Sequence, residues 1–207
     1  MLLFNAILLW VFCIALVLNP TLSAGWFWDF GNGLGFAAIA GMLYLTVSSG
    51  RPLNVTRHQH LGYVVLLFCA VHALWFLIGD PAVVEYVRPG APLYMWSGLI
   101  GLLTLGILMT IAVLPDRYRV HSEHKSFRYW HLILAIFTLA AAMYHVVGSG
   151  YYLTSWIQIV ALVAMAAIAG LSRKFRQKVA SIPLTSVSAC LTISFVSATL
   201  FALVHNL

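Results

Sequence analysis

The amino-acid sequence predicts an all-α protein, a polytopic membrane helix bundle with a six-helix core and a seventh transmembrane helix after it. Three observations carry that reading. Of the 207 residues, 62% are hydrophobic and only 8% charged, against about 25% charged in soluble domains, and the mean hydropathy is +0.96. Apolar runs recur at about the 20-residue length of a bilayer crossing, divided by short polar connectors. Two of these runs each carry a pair of histidines fourteen residues apart. Seven crossings consume most of the chain, so no soluble catalytic domain fits. We read residues 1–207 as one domain, with the core over about 31–172 and the extra span over about 183–204.

In chain order, the first span is 1–19, an apolar run followed by Pro20 and TLSAG. Those small residues also suit a signal-peptide cleavage site, but no Lys or Arg precedes the apolar core. The connector GWFWDFGNG carries Trp26 and Trp28, aromatics suited to a membrane interface. Its glycines form neither a phosphate loop nor a dinucleotide fingerprint, because no strand precedes them. The second span covers about 34–49. SSGRPLNVTR leads into the third, which holds His58 and His72 and ends near Gly79. After a loop with Asp80, Glu85, Arg88 and three prolines comes the fourth span, about 93–114. The polar stretch DRYRVHSEHKSFR precedes the fifth, 129–147, with His131 and His145. GSGYYLTSW then opens the sixth, about 154–172, and SRKFRQK precedes the seventh, 183–204, rich in Ser and Thr. Cys13, Cys69 and Cys190 all fall in apolar runs and make neither a zinc pattern nor a disulfide framework.

Orientation follows from the cations. Connectors after spans two, four and six hold Arg51, Arg57, Arg117, Arg119, Lys125, Arg128, Arg173, Lys174, Arg176 and Lys178; those after spans one, three and five hold only Arg88. The positive-inside rule makes the first set cytoplasmic, with the N-terminus inside and the C-terminus outside, in the periplasm of a bacterial inner membrane. The net charge of +6 is therefore a membrane signature and not a nucleic-acid footprint. Spans three and five run in the same direction, which pairs His58 with His131 near the inner face and His72 with His145 near the outer face.

Fourteen residues make close to four helical turns, so each pair shares one helix face and is spread over about 21 Å of axis. Ionisable residues within a membrane usually face the bundle interior and mark function. Two imidazoles at each level, with no Cys, Asp or Glu nearby, do not complete a tetrahedral zinc site. A porphyrin supplies four equatorial nitrogens of its own, so two axial imidazoles suffice. The pattern therefore points to two heme b groups, their irons held by His58 and His131 and by His72 and His145. His60 competes with His58 as the inner ligand, but lies roughly 120° from the azimuth of His72, against roughly 40° for His58. Arg57, Arg119 and Arg128 stand at the inner level, where they suit either heme propionates or ordinary cytoplasmic-face positions. His121 and His124 read as solvated loop residues and His205 as terminal and incidental.

RHQHLGYVVLLFCAVH and YWHLILAIFTLAAAMYH resemble the ferric reductase-like transmembrane family over roughly spans two to six. That family includes NADPH oxidases, iron reductases and the heme-binding subunit of the periplasmic methionine sulfoxide reductase system. The resemblance implies two stacked b hemes on the third and fifth spans, with the same inner and outer partners. It also implies an aromatic side chain between the hemes, and Phe137, six residues after His131, takes that position; a lipid-facing or core phenylalanine is the alternative. Unlike the oxidases and iron reductases, this chain follows its sixth span with another apolar helix, not with flavin and NADPH domains. Unlike the sulfoxide reductase subunit, it has His58.

Three functions are compatible with these residues. The first is a transmembrane electron conduit from a cytoplasmic-side or quinol donor to an outer acceptor, with flavin or quinone supplied at the cytoplasmic side or by a partner redox protein. The second is a heme-bearing anchor subunit of a larger oxidoreductase complex. The third is a heme-free proton-coupled transporter, against which stands the lack of a well-placed acidic residue in the spans and of paired broken helices.

Overall fold

A computed structural model describes residues 2–16, 23–47, 55–113, 124–171 and 185–207. These fold into seven α-helices and no strand: α1 (Leu2–Leu16), α2 (Trp26–Val47), α3 (Val55–Gly79), α4 (Leu93–Val113), α5 (His124–Ser149), α6 (Trp156–Leu171) and α7 (Val187–Asn206), with a short 3-10 turn at Pro81–Val87 between α3 and α4. Five of them, α2, α3, α4, α5 and α7, are long and apolar enough to cross a membrane. The helices α1 and α6 are apolar but shorter, about 22–24 Å by their residue count. Large apolar side chains stand on the outside of the bundle, among them Leu67, Leu74 and Ile78 on α3, Leu103 and Ile107 on α4 and Leu132, Ile133 and Tyr144 on α5. Such a surface suits hydrocarbon as solvent, and helices satisfy their backbone groups internally there.

The most enclosed helix is α2, which packs against α1, α3, α5, α6 and α7. It starts eight residues earlier than the apolar pattern suggests. GWFWDFGNG is not a connector: Gly25, at φ +92°, ends the incoming strand of chain, and its carbonyl accepts from the N–H groups of Trp28 and Asp29 to open the helix. The glycines that weaken the helical signal in sequence are there for close packing. A Cβ on Gly33 would lie 3.0 Å from the Ala198 Cα of α7, and one on Gly35 would lie 3.0 Å from the His72 ring of α3. Small residues bring membrane helices together in this way. Asp29, in the first turn of α2, is fully buried. This corrects the expectation that the spans lack a placed acid.

α1 buries Phe4, Ile7, Leu8, Val11, Phe12 and Ala15 at helical spacing. Its last turn is tied by Gln158, whose Nε2 donates to the carbonyls of Ile14 (2.7 Å) and Tyr152 (3.1 Å), while its Oε1 accepts from the N–H groups of Thr154 and Ser155. One buried amide thus closes the end of α1 and the start of α6. α3 packs on α2, α4 and α7, and α5 packs chiefly on α4, yet no Cα of α3 comes within 8 Å of one on α5. The two histidine-bearing helices stand apart across a gap.

Candidate functional site

Side chains reach into that gap in two layers. On α3, His58, Val65 and His72 follow at seven-residue steps, as do His131, Thr138 and His145 on α5. Seven residues bring a helix almost back to the same azimuth, so each series lines one face. The ring centroids of His58 and His131 are 6.2 Å apart, and those of His72 and His145 are 6.3 Å apart. The helices are therefore parallel. A metal–imidazole nitrogen bond is about 2.0 Å and a ring centre lies roughly 1.1 Å beyond its nitrogen, so two rings on opposite sides of one ion have centres about 6 Å apart. Both layers have that spacing. His60 is exposed and does not enter the His58 layer.

The His72–His145 layer is fixed by the backbone. His72 Nδ1 and His145 Nδ1 each meet a carbonyl at 2.8 Å, of Gly31 and Tyr94 respectively. A carbonyl only accepts, so each Nδ1 carries the hydrogen and each Nε2 keeps its lone pair for another partner. Metal-binding histidines are commonly oriented like this. Two glycines make room for the rings: a Cβ on Gly98 would lie 2.7 Å from His145 Nδ1, in the same way that Gly35 meets His72. In the His58–His131 layer both Nδ1 atoms are buried without a hydrogen-bond partner, and the Phe127 ring lies 5.5 Å from His131 one turn earlier.

A cavity of about 540 Å³ adjoins the His72–His145 layer, walled by α2, α3, α4, α5 and the α5–α6 connector, with Phe36, Met42, Cys69, Thr138 and Tyr152 among its lining. Its size lies within the range of small-molecule and cofactor sites, about 300–1,000 Å³. Phe137 is not part of it. That side chain is 50% exposed on the outside of α5, and the buried Thr138 faces inward instead, donating to Thr104 Oγ1 at 3.0 Å. Midway means seven residues from each histidine, and Phe137 is six from one and eight from the other. Arg57 and Arg128 are exposed near the His58 end, whereas Arg119 and His121 lie outside the described residues. Arg88 pairs with Glu85 at 2.7 Å on the surface. Most of the cations that orient the chain by charge also lie outside the described residues.

Two donor atoms per layer limit what can be held. Among the described residues no three His, Cys, Asp or Glu side chains gather in one place, so a bare ion would have only two protein ligands in either layer. A flat group that brings its own equatorial donors and needs only two axial imidazoles fits the donor set, the ring spacing and the gap between α3 and α5.

Asp29 and its partners were not singled out in the sequence as a site. The Tyr152 hydroxyl donates to Asp29 Oδ1 at 2.5 Å, and Asn206 Nδ2 and Ser23 Oγ reach Oδ2 at 2.8 and 2.9 Å. The only sequence signal was an acid inside an aromatic and glycine-rich run. No family model, curated protein or solved structure matches this chain.

Proposed function

We propose that this chain is a diheme b-type cytochrome of the ferric reductase-like kind, conducting electrons across a bacterial inner membrane from a cytoplasmic-side or quinol donor to an outer acceptor. The observation that carries the proposal is the pair of layers: two facing imidazoles at 6.2 Å and two at 6.3 Å, on helices whose backbones nowhere come within 8 Å of each other, Cα to Cα. His58 and His131 would hold one heme and His72 and His145 the other. An iron porphyrin with two imidazole ligands exchanges single electrons and has no free position at the metal. The chain's own residues orient and insulate. The Gly31 and Tyr94 carbonyls set the tautomers of His72 and His145, and a mostly apolar cavity wall surrounds that end. Arg57 and Arg128 supply positive charge at the His58 end, which the cation count makes cytoplasmic, with the N-terminus inside and the C-terminus outside. Electrons would come from and pass to partners, with flavin or quinone supplied at the cytoplasmic side.

The test is a pyridine hemochrome assay with dithionite-reduced spectra on purified protein, beside His72→Leu, His58→Leu and His60→Leu. Two hemes per chain are expected, one lost in each of the first two variants and none in the third. A protein that binds no heme under adequate heme supply would overturn the proposal. One heme that survives His58→Leu would remove the inner site.

A further inference from the structure

A buried carboxylate in a membrane bundle needs either a counter-charge or a proton, because burying an unpaired charge costs several kcal/mol or more. Asp29 is completely buried, and every partner it has is neutral: the Tyr152 hydroxyl on Oδ1, and the Asn206 amide and Ser23 hydroxyl on Oδ2. Titratable groups facing this spot are Tyr151 and Tyr152 from the connector and His205 from α7. α3 brings His72 to this end, with Asp80 directly after its last turn and the Glu85–Arg88 pair in the connector that follows; α5 brings His145 and the exposed Tyr144, α1 adds the Cys13 thiol, and α6 adds none.

The Ser23 hydroxyl has one hydrogen and two acceptors within reach, Asp29 Oδ2 at 2.9 Å and Asn206 Oδ1 at 2.8 Å. Each acceptor suits one protonation state. With Asp29 ionised, Ser23 donates to it. With a proton on Oδ2, Asp29 donates to Ser23 Oγ, and Ser23 turns its hydrogen to Asn206. The remaining contacts serve both states: Gly25 N–H donates to Ser23 Oγ at 2.9 Å, and Asn206 Nδ2 also donates to the Ala202 carbonyl at 2.8 Å. No other side chain has to move.

The three groups are also arranged from outside to inside. Ser23 is exposed, Asp29 lies behind it, and Tyr152 lines the cavity beside the His72–His145 layer. We propose that Ser23 and Asp29 form a proton-exchange path from the surface at this end of the bundle to the edge of the cavity, with Asp29 as the group on which the proton rests and Tyr152 closing the path. A hydronium ion at the surface gives a proton to Ser23 Oγ as the Ser23 O–H bond breaks and its hydrogen passes to Asp29 Oδ2, leaving water, a serine hydroxyl turned to Asn206 and a carboxylic acid; the reverse sequence returns the proton to water. Burial and the Asp29 contact hold the Tyr152 hydroxyl well above the usual tyrosine range, so Tyr152 keeps its hydrogen on Asp29 Oδ1 and passes no proton on to the cavity. The path goes beyond the proposed electron transfer and does not depend on it.

Infrared difference spectroscopy of the full-length protein in lipid nanodiscs, with and without carbon-13-labelled aspartate, tests the path whether or not heme is bound. A carboxylic-acid C=O band that moves with the isotope and in D2O is expected, and it should vanish in Asp29→Asn. Ser23→Ala, at an exposed position, should slow hydrogen–deuterium exchange at that band several-fold. Absence of any carboxylic-acid aspartate band, its persistence in Asp29→Asn, or exchange at the wild-type rate in Ser23→Ala would overturn the proposal. Should Asp29→Asn fail to fold, the isotope shift and the Ser23→Ala rate still decide.

Discussion

Gly98→Ala adds one methyl group at the point where α4 meets the His145 ring. The new carbon would lie 2.7 Å from Nδ1, 2.9 Å from Cε1 and 3.0 Å from Cγ. Ordinary contact begins near 3.5 Å, so the ring or its helix must withdraw by about 0.8 Å. α4 and α5 form the most extensive helix contact in the bundle, so the ring yields first. Its 2.8 Å bond to the Tyr94 carbonyl then stretches past hydrogen-bonding range. Losing an outer-shell partner typically lowers metal affinity about 10–100-fold, or about 1.4 kcal/mol for each factor of ten. On the proposed function, the expected result is a Gly98→Ala protein whose His72–His145 site binds heme 10–100-fold more weakly, with the His58–His131 site unchanged. Heme titration into apoprotein, followed by absorbance, reads both sites. Gly106→Ala on the same helix is the control, since a Cβ there meets nothing within 4 Å; it should bind as wild type. Unchanged affinity in Gly98→Ala, or equal loss in Gly106→Ala, would refute the reasoning.

Gln158→Leu leaves the Ile14 carbonyl and the Thr154 and Ser155 N–H groups without their present partner and should lower stability by about 2–4 kcal/mol, seen as an earlier thermal transition in detergent with heme content retained below it. Thr138→Val removes the bond to Thr104 at nearly constant volume and should lower stability by about 1 kcal/mol, while Phe137→Leu, on the exterior, should change neither melting nor heme binding. Burial, then Asp29, raises the Tyr152 hydroxyl above its ordinary value of 10.0, and Tyr151 is shifted the same way. The folded state then holds protons that the unfolded state releases above about pH 10, so stability should fall as pH rises past that point. Denaturation midpoints across the alkaline range should show the fall, and it should be shallower in Tyr152→Phe.

The helices and both histidine layers are legible in the sequence because hydropathy and a fourteen-residue spacing are local properties of one helix. What escapes is whatever a neighbour decides. Gly31, Gly33 and Gly35 suggest a loop when read alone, and become helix because Phe76, Ala198 and the His72 ring respectively need the space. Asp29 suggests an interfacial acid until Tyr152 and Asn206, 123 and 177 residues away along the chain, close over it. Phe137, which the family resemblance places between the layers, lies on the exterior as its lipid-facing alternative requires, and Thr138, seven residues from each histidine, faces inward in its place.

The two histidine layers differ in one respect that bears on how the protein matures. His72 and His145 have their Nδ1 atoms tied to carbonyls, whereas the Nδ1 atoms of His58 and His131 have no such tether. A ring already held in its bound orientation loses less rotational freedom on capture. On the proposed function, the His72 end would therefore capture its heme more readily than the His58 end.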